Sequence, residues 1–118
     1  MNKQKQMQEV LNGLYMYLER LIPGIIKTAE LYQGGNEGKA NENMIDIIDG
    51  INWIIEGITA TSEIQKERIN ITDMNQYFDE IVQAFENSDY VLLSDLLEYE
   101  IVPVLKNWKE KIFVSIGV

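Results

Sequence analysis

The chain has 118 residues, 46% apolar and 25% charged, which is enough for one core and describes a single globular domain over residues 1–118. Cysteine and histidine are both absent, which excludes disulfides, thiolate nucleophiles, Cys or His metal ligation and the Glu-x-x-His di-iron sites of ferritin-like bundles. The net charge of -9 opposes binding to nucleic acid and to anionic lipid, so the expected partners are neutral or basic proteins, unless the acidity serves solubility alone. No apolar run reaches the ~20 residues of a spanning helix, and "MNKQKQMQEV" lacks the apolar core of a secretory signal, so a cytoplasmic protein is expected.

In chain order, Met7, Leu11, Leu14, Leu18, Ile25, Ala29 and Tyr32 recur at helical steps and predict a helix over residues 3–33. "GGNEG" stops it, because Gly34 or Gly35 can take the left-handed conformation that closes a helix. A second helix carries Met44, Ile47, Ile48, Ile51, Ile54, Ile55 and Ile58, with Asn36 or Asn41 as cap and a possible continuation to Ile64. "ERINITD" breaks the pattern. Thr72 is the next plausible cap, and Met74, Tyr77, Phe78, Ile81, Val82 and Phe85 define a third helix ending near Asn87. Ser88 or Asp89 opens the fourth, whose stripe is Leu93, Leu97, Ile101, Val104, Trp108 and Ile112 and whose Lys106, Lys109 and Lys111 suit the negative end of its dipole. The many isoleucines would favour strands if they alternated, but they do not, and their spacing is helical. Four amphipathic helices with short connections predict an all-α protein, a four-helix antiparallel up-down bundle.

Pro23 and Pro103 are the only prolines, and each falls inside a helical pattern. Ile22 and Val102 would be poor caps for new helices, and the stripe stays in phase across each proline, from Leu18 to Ile25 and from Leu97 to Val104. The prediction is therefore that the first and last helices continue through their prolines with a kink, leaving the carbonyls of Glu19 and Tyr99 without their usual donors.

Trp53 projects about 160° from the centre of the second helix's stripe, on a far side shared with Asp46, Asp49, Gly50, Glu56 and Gly57. Each glycine costs about 1 kcal/mol against alanine in a helix interior, so a compensating role is expected. Two roles are open. The face is a partner-binding surface, for another protein or for a second copy of the chain, or another helix covers it and the glycines permit close packing. A second constellation is the pair of acidic doublets Asp46/Asp49 and Asp95/Glu98, spaced like the Mg²⁺ ligands of all-α nucleotide pyrophosphohydrolases; this hydrolase is the alternative to a non-enzymatic interaction module that needs no metal or cofactor. Glu100 borders the fourth stripe and, if buried, needs a donor such as Tyr15 or Tyr77. "GGNEG" lacks both the preceding strand and the Gly-Lys-Ser/Thr ending of a phosphate loop.

"DYVLLSDLLEYEIVPVLKNW" (residues 89–108), with its Asp95-Leu96-Leu97-Glu98-Tyr99-Glu100 run, Pro103 and Trp108, resembles a segment of short helical proteins of unknown function from Gram-positive bacteria. "IDIIDGINWIIEGI" (residues 45–58), with Gly50 and Trp53, is similar to another segment of the same proteins. Their association with flagellar gene neighbourhoods implies an export-chaperone or adaptor role, and the resemblance brings no catalytic residues with it.

Overall fold

The computed structural model describes residues 2–116, and among them there are helices and no strands. Helix α1 spans Lys3–Gln33, α2 spans Glu37–Ala60 and α3 spans Thr72–Glu86. A fourth, C-terminal helix is built from α4 (Tyr90–Asp95), a π-helical segment (Leu96–Ile101) and α5 (Val102–Ile116), which follow one another without a gap. A single 3₁₀ turn, Ser62–Ile64, follows α2.

The helix ends show how local chemistry sets these limits. At the end of α1, Gly35 takes φ +81°, and the amides of Asn36 and Gly35 donate to the carbonyls of Leu31 (2.8 Å) and Tyr32 (3.1 Å). That is the Schellman pattern, and it needs a left-handed residue where glycine is cheapest. The same pattern ends α3, with Ser88 at φ 55° and the amide of Asp89 donating to Ala84 (2.9 Å). Ser88 is therefore the turn and Asp89 the cap of α4, its Oδ1 accepting from the amide of Leu92 at 3.2 Å.

Three expected caps differ. Thr72 is the first residue of α3, and its amide is taken up by Asn70 Oδ1 at 2.9 Å. Asn36 stands at the start of α2 but makes no side-chain cap, and Asn41 bonds two tyrosines instead. The second helix also stops short of Ile64, and side chains bond its last carbonyls: Gly57 accepts from both the amide (3.1 Å) and the Oγ1 (2.8 Å) of Thr61, and Ile58 accepts from Gln65 Nε2 (2.8 Å).

Helix α1 is the central strut. It packs along α2 on one side and along α4, the π segment and α5 on the other, while α3 rests on α4 and the π segment. Leu11, Leu14, Leu18, Ile25, Met44, Ile51, Ile54, Leu97 and Ile101 are fully buried in the shared core. At the C-terminal end of α1 a polar clasp joins three helices. The Tyr32 ring stacks on Tyr90 at 5.2 Å, the Tyr32 hydroxyl donates to Asn41 Oδ1 (2.7 Å), and Asn41 Nδ2 donates to the Tyr90 hydroxyl (3.2 Å). Burial, with smaller contributions from Tyr90 and Glu37, holds the Tyr32 hydroxyl well above the ordinary tyrosine pKa.

Both prolines are exposed and lie within continuous helix. Ahead of Pro103 the amide of Val102 donates to Leu97, five residues back, which is the π register. The buried series there is Leu93, Leu97, Ile101, Leu105. Steps of four drift about 40° per step on an α-helix, and the wider π turn absorbs that drift. One expected stripe position differs: Leu105 is fully buried and Val104 only half-buried, while Trp108 and Ile112 keep their expected burial.

Candidate functional site: an acidic, aromatic notch between α1 and α2

The notch begins with a close approach of two helices. Gly50 is buried, and a Cβ there would collide with the Tyr17 hydroxyl and stand 3.0 Å from Tyr17 Cζ. The missing side chain is therefore what lets the α1 tyrosine lie across α2. One turn further along α2, Trp53 meets the Tyr17 ring edge-on, with centroids 5.4 Å apart and planes at 81°, the favoured T-shaped geometry. Gly13, one turn before Tyr17, lies beside the far edge of the indole, where a Cβ would make ordinary contact with Trp53 Cη2 at 3.9 Å. Asp46 and Asp49 complete the walls from the preceding turn of α2. Together Tyr17, Asp46, Asp49, Gly50 and Trp53 line a hollow of about 450 Å³, and Trp53 remains 46% exposed within it.

The notch itself is lined by carboxylates and by no basic residue, while Arg20 lies over the Tyr17 ring and shares the adjoining hollow with Asp46. Among the described residues Asp46 and Asp49 enter no ion pair, and the sequence holds no lysine or arginine between Lys39 and Lys66. Burial and the charge of Asp46 push the Tyr17 hydroxyl upward, with a smaller push from Asp49 and partial opposition from Arg20.

Of the residues expected on this face, Trp53, Gly50, Asp46 and Asp49 come together. Glu56 is exposed and does not line the notch. Gly57 requires a correction: it faces α1, where a Cβ would stand 2.7 Å from Cδ2 of the fully buried Leu14. Both glycines are thus packing positions under α1, whereas Trp53, on the same side of α2, is left partly uncovered. Tyr17 was not singled out from sequence. Its signal is a tyrosine one residue before Leu18, just off the α1 stripe, but only the pairing of α1 with α2 reveals its neighbour.

The second acidic doublet is divided. Asp95 lines a shallow hollow with Leu92, Leu96, Tyr99 and Glu100, while Glu98 accepts from Gln33 Nε2 at 2.9 Å. Among the described residues no three acidic groups gather as metal ligands. Glu100 is half-buried, and its carboxylate engages the Tyr77 hydroxyl and raises the pKa of that tyrosine.

On the opposite side of α1, a groove of about 580 Å³ runs between α1 and α5, lined in part by Tyr15, Leu18, Glu19, Pro23, Lys109 and Phe113. Here Tyr15 meets Phe113 with centroids 5.6 Å apart, Lys109 Nζ stands 5.3 Å from the centre of the Tyr15 ring, and the same nitrogen lies 3.8 Å from Glu19 Oε2.

The fold and notch define an all-helical domain with an acidic, aromatic recess along its central helix. Residues 9–111 match the model of the DUF8042 family, a domain of unknown function, and the chain belongs to that family. No curated protein and no solved structure matches it. No helix among the described residues is long and apolar enough to cross a membrane.

Proposed function

We propose that the protein is a non-enzymatic interaction module, an adaptor, small chaperone or regulatory partner, that binds another protein through the notch between α1 and α2. The supporting observation is Trp53: a tryptophan nearly half exposed, fixed by Tyr17, beside two carboxylates that make no ion pair within the described chain. Tryptophan is enriched among the few residues that dominate interface energies, and a ring held in place loses little entropy when it is covered. The scaffold we take for it is an antiparallel up-down bundle with bends at Pro23 and Pro103. Self-association through the same face is less favourable, because a two-fold dimer centred there would bring two copies of Asp46 and Asp49 together. Nothing in the placement of Asp95 and Glu98, which turn to different neighbours, favours the hydrolase alternative.

The test is affinity capture from native lysate with immobilised wild type, Trp53→Ala and Val91→Ala, the last removing an apolar side chain that is 77% exposed on α4. The expected result is a protein retained by wild type and by Val91→Ala and lost with Trp53→Ala, while all three melt cooperatively. Equal retention by Trp53→Ala would refute the assignment of this face.

A further inference from the structure

The two sides of α1 carry related constellations, each with a cation of the chain over its tyrosine, and differ in whether the carboxylates are ion-paired. On the α5 side an aromatic pair, Tyr15 and Phe113, is accompanied by a carboxylate, Glu19, and by a cation from the chain itself, Lys109, which serves both. On the α2 side an aromatic pair, Tyr17 and Trp53, is accompanied by two carboxylates, Asp46 and Asp49, and the described chain contributes no ion pair to them. Arg20 of the same chain lies over the Tyr17 ring, its guanidinium carbon 5.9 Å from the centroid, and with Lys27 it lines the adjoining hollow, whose wall Asp46 shares; neither basic residue lines the notch itself, which Asp49 and Trp53 border.

Resting on the reading of the notch as a partner surface, we infer that it receives a basic side chain, arginine in preference to lysine, from a segment of a protein partner. Three features select that chemistry. Electron-rich ring faces attract a cation, and indole does so most strongly. Two carboxylates three residues apart on one helix face can share the several N–H donors of a planar guanidinium, whereas an ammonium is a compact, strongly hydrated point charge that cannot stack. A net charge of -9, with the local deficit of lysine and arginine along α2, steers basic segments toward the protein and acidic ones away.

The full chain is titrated with the capped tripeptides acetyl-Gly-Arg-Gly-amide, acetyl-Gly-Lys-Gly-amide and acetyl-Gly-Glu-Gly-amide and with spermidine, while the indole N–H resonances of Trp53 and Trp108 are followed by NMR. The arginine peptide should move the Trp53 resonance saturably and leave that of buried Trp108 in place. The lysine peptide should bind several-fold more weakly, and the glutamate peptide should have no effect. Asp46→Asn/Asp49→Asn should weaken arginine binding about tenfold. Glu63→Gln/Glu67→Gln, which removes the same charge from exposed positions elsewhere, should weaken it less than about twofold, as expected for a screened long-range effect. Equal binding by the two double variants, tighter binding of spermidine, or no saturable shift would overturn the inference. The lysate capture separates the two readings: Trp53-dependent capture without arginine-peptide binding leaves the surface assigned and its ligand chemistry wrong, while Trp53-independent capture removes the surface itself.

Discussion

The two sides of α1 use similar materials to different ends. On the α5 side, ring, carboxylate and ammonium all belong to one chain, so the charges are balanced where they stand: Lys109 sits over Tyr15 and against Glu19. On the α2 side the rings and carboxylates are assembled by a close helix approach, and the carboxylates have no ion-pair partner in the described chain. The lesson is that exposure alone does not distinguish a binding face. Phe113 is 55% exposed and Trp53 is 46% exposed, yet only the second lies beside carboxylates that make no ion pair in the described chain.

Substitutions at the seats of the two helices separate structure from recognition. Gly57→Ala should have the largest effect on stability, a net loss of about 1–2 kcal/mol, since overpacking against buried Leu14 outweighs the roughly 1 kcal/mol that alanine gains in helix propensity. Urea denaturation monitored by far-UV circular dichroism reads this directly. A gain in stability would show that α1 and α2 separate more easily than their packing implies.

Tyr32→Phe should cost about 1 kcal/mol by removing the bond to Asn41 from the clasp that holds α2 and α4 against α1. It should also change the alkaline limb. A tyrosine whose folded pKa is raised contributes stability that is complete below about pH 10 and is lost as pH rises through its folded value. Wild type should therefore weaken above pH 10 more steeply than the phenylalanine variant. Parallel pH profiles would contradict the assignment.

Gly50→Ala should alter stability by less than about 0.5 kcal/mol, because the overlap is with the end of one flexible side chain and is offset by helix propensity. It should nevertheless displace Tyr17 and abolish arginine-peptide binding. Retained binding would mean that Tyr17 is not part of the site. Smallest of all, Lys109→Gln should change thermal stability by less than about 0.5 kcal/mol, as expected for a partly exposed ion pair, and leave the Trp53 resonance where it is.

Much of this architecture is readable from the residues. The α1 limits, an interruption around "ERINITD" (observed at residues 65–71) and the continuation through both prolines follow from period, caps and glycine chemistry. Trp53 is distinguished by lying off its own stripe. What could not be read has two physical origins. The π register before Pro103 depends on which carbonyl Val102 selects, and a hydrophobic stripe containing both Val104 and Leu105 fits either choice. The roles of Gly50 and Gly57 depend on which face of α2 meets α1, a long-range pairing that helical periodicity does not encode. Projection put both glycines off the stripe and left a partner surface or close packing open, while packing against α1 places Tyr17 on one and Leu14 on the other.

Tryptophan quenching with ions of opposite charge tests the central claim most directly. Trp108 is 2% exposed, so quenchable fluorescence reports Trp53. An accessible indole flanked by Asp46 and Asp49 should be quenched by caesium more efficiently than by iodide, after each is normalised to free tryptophan, and the asymmetry should shrink in Asp46→Asn/Asp49→Asn. Iodide quenching equal to or stronger than that of caesium, or protection from both ions, would contradict an accessible acidic notch around Trp53.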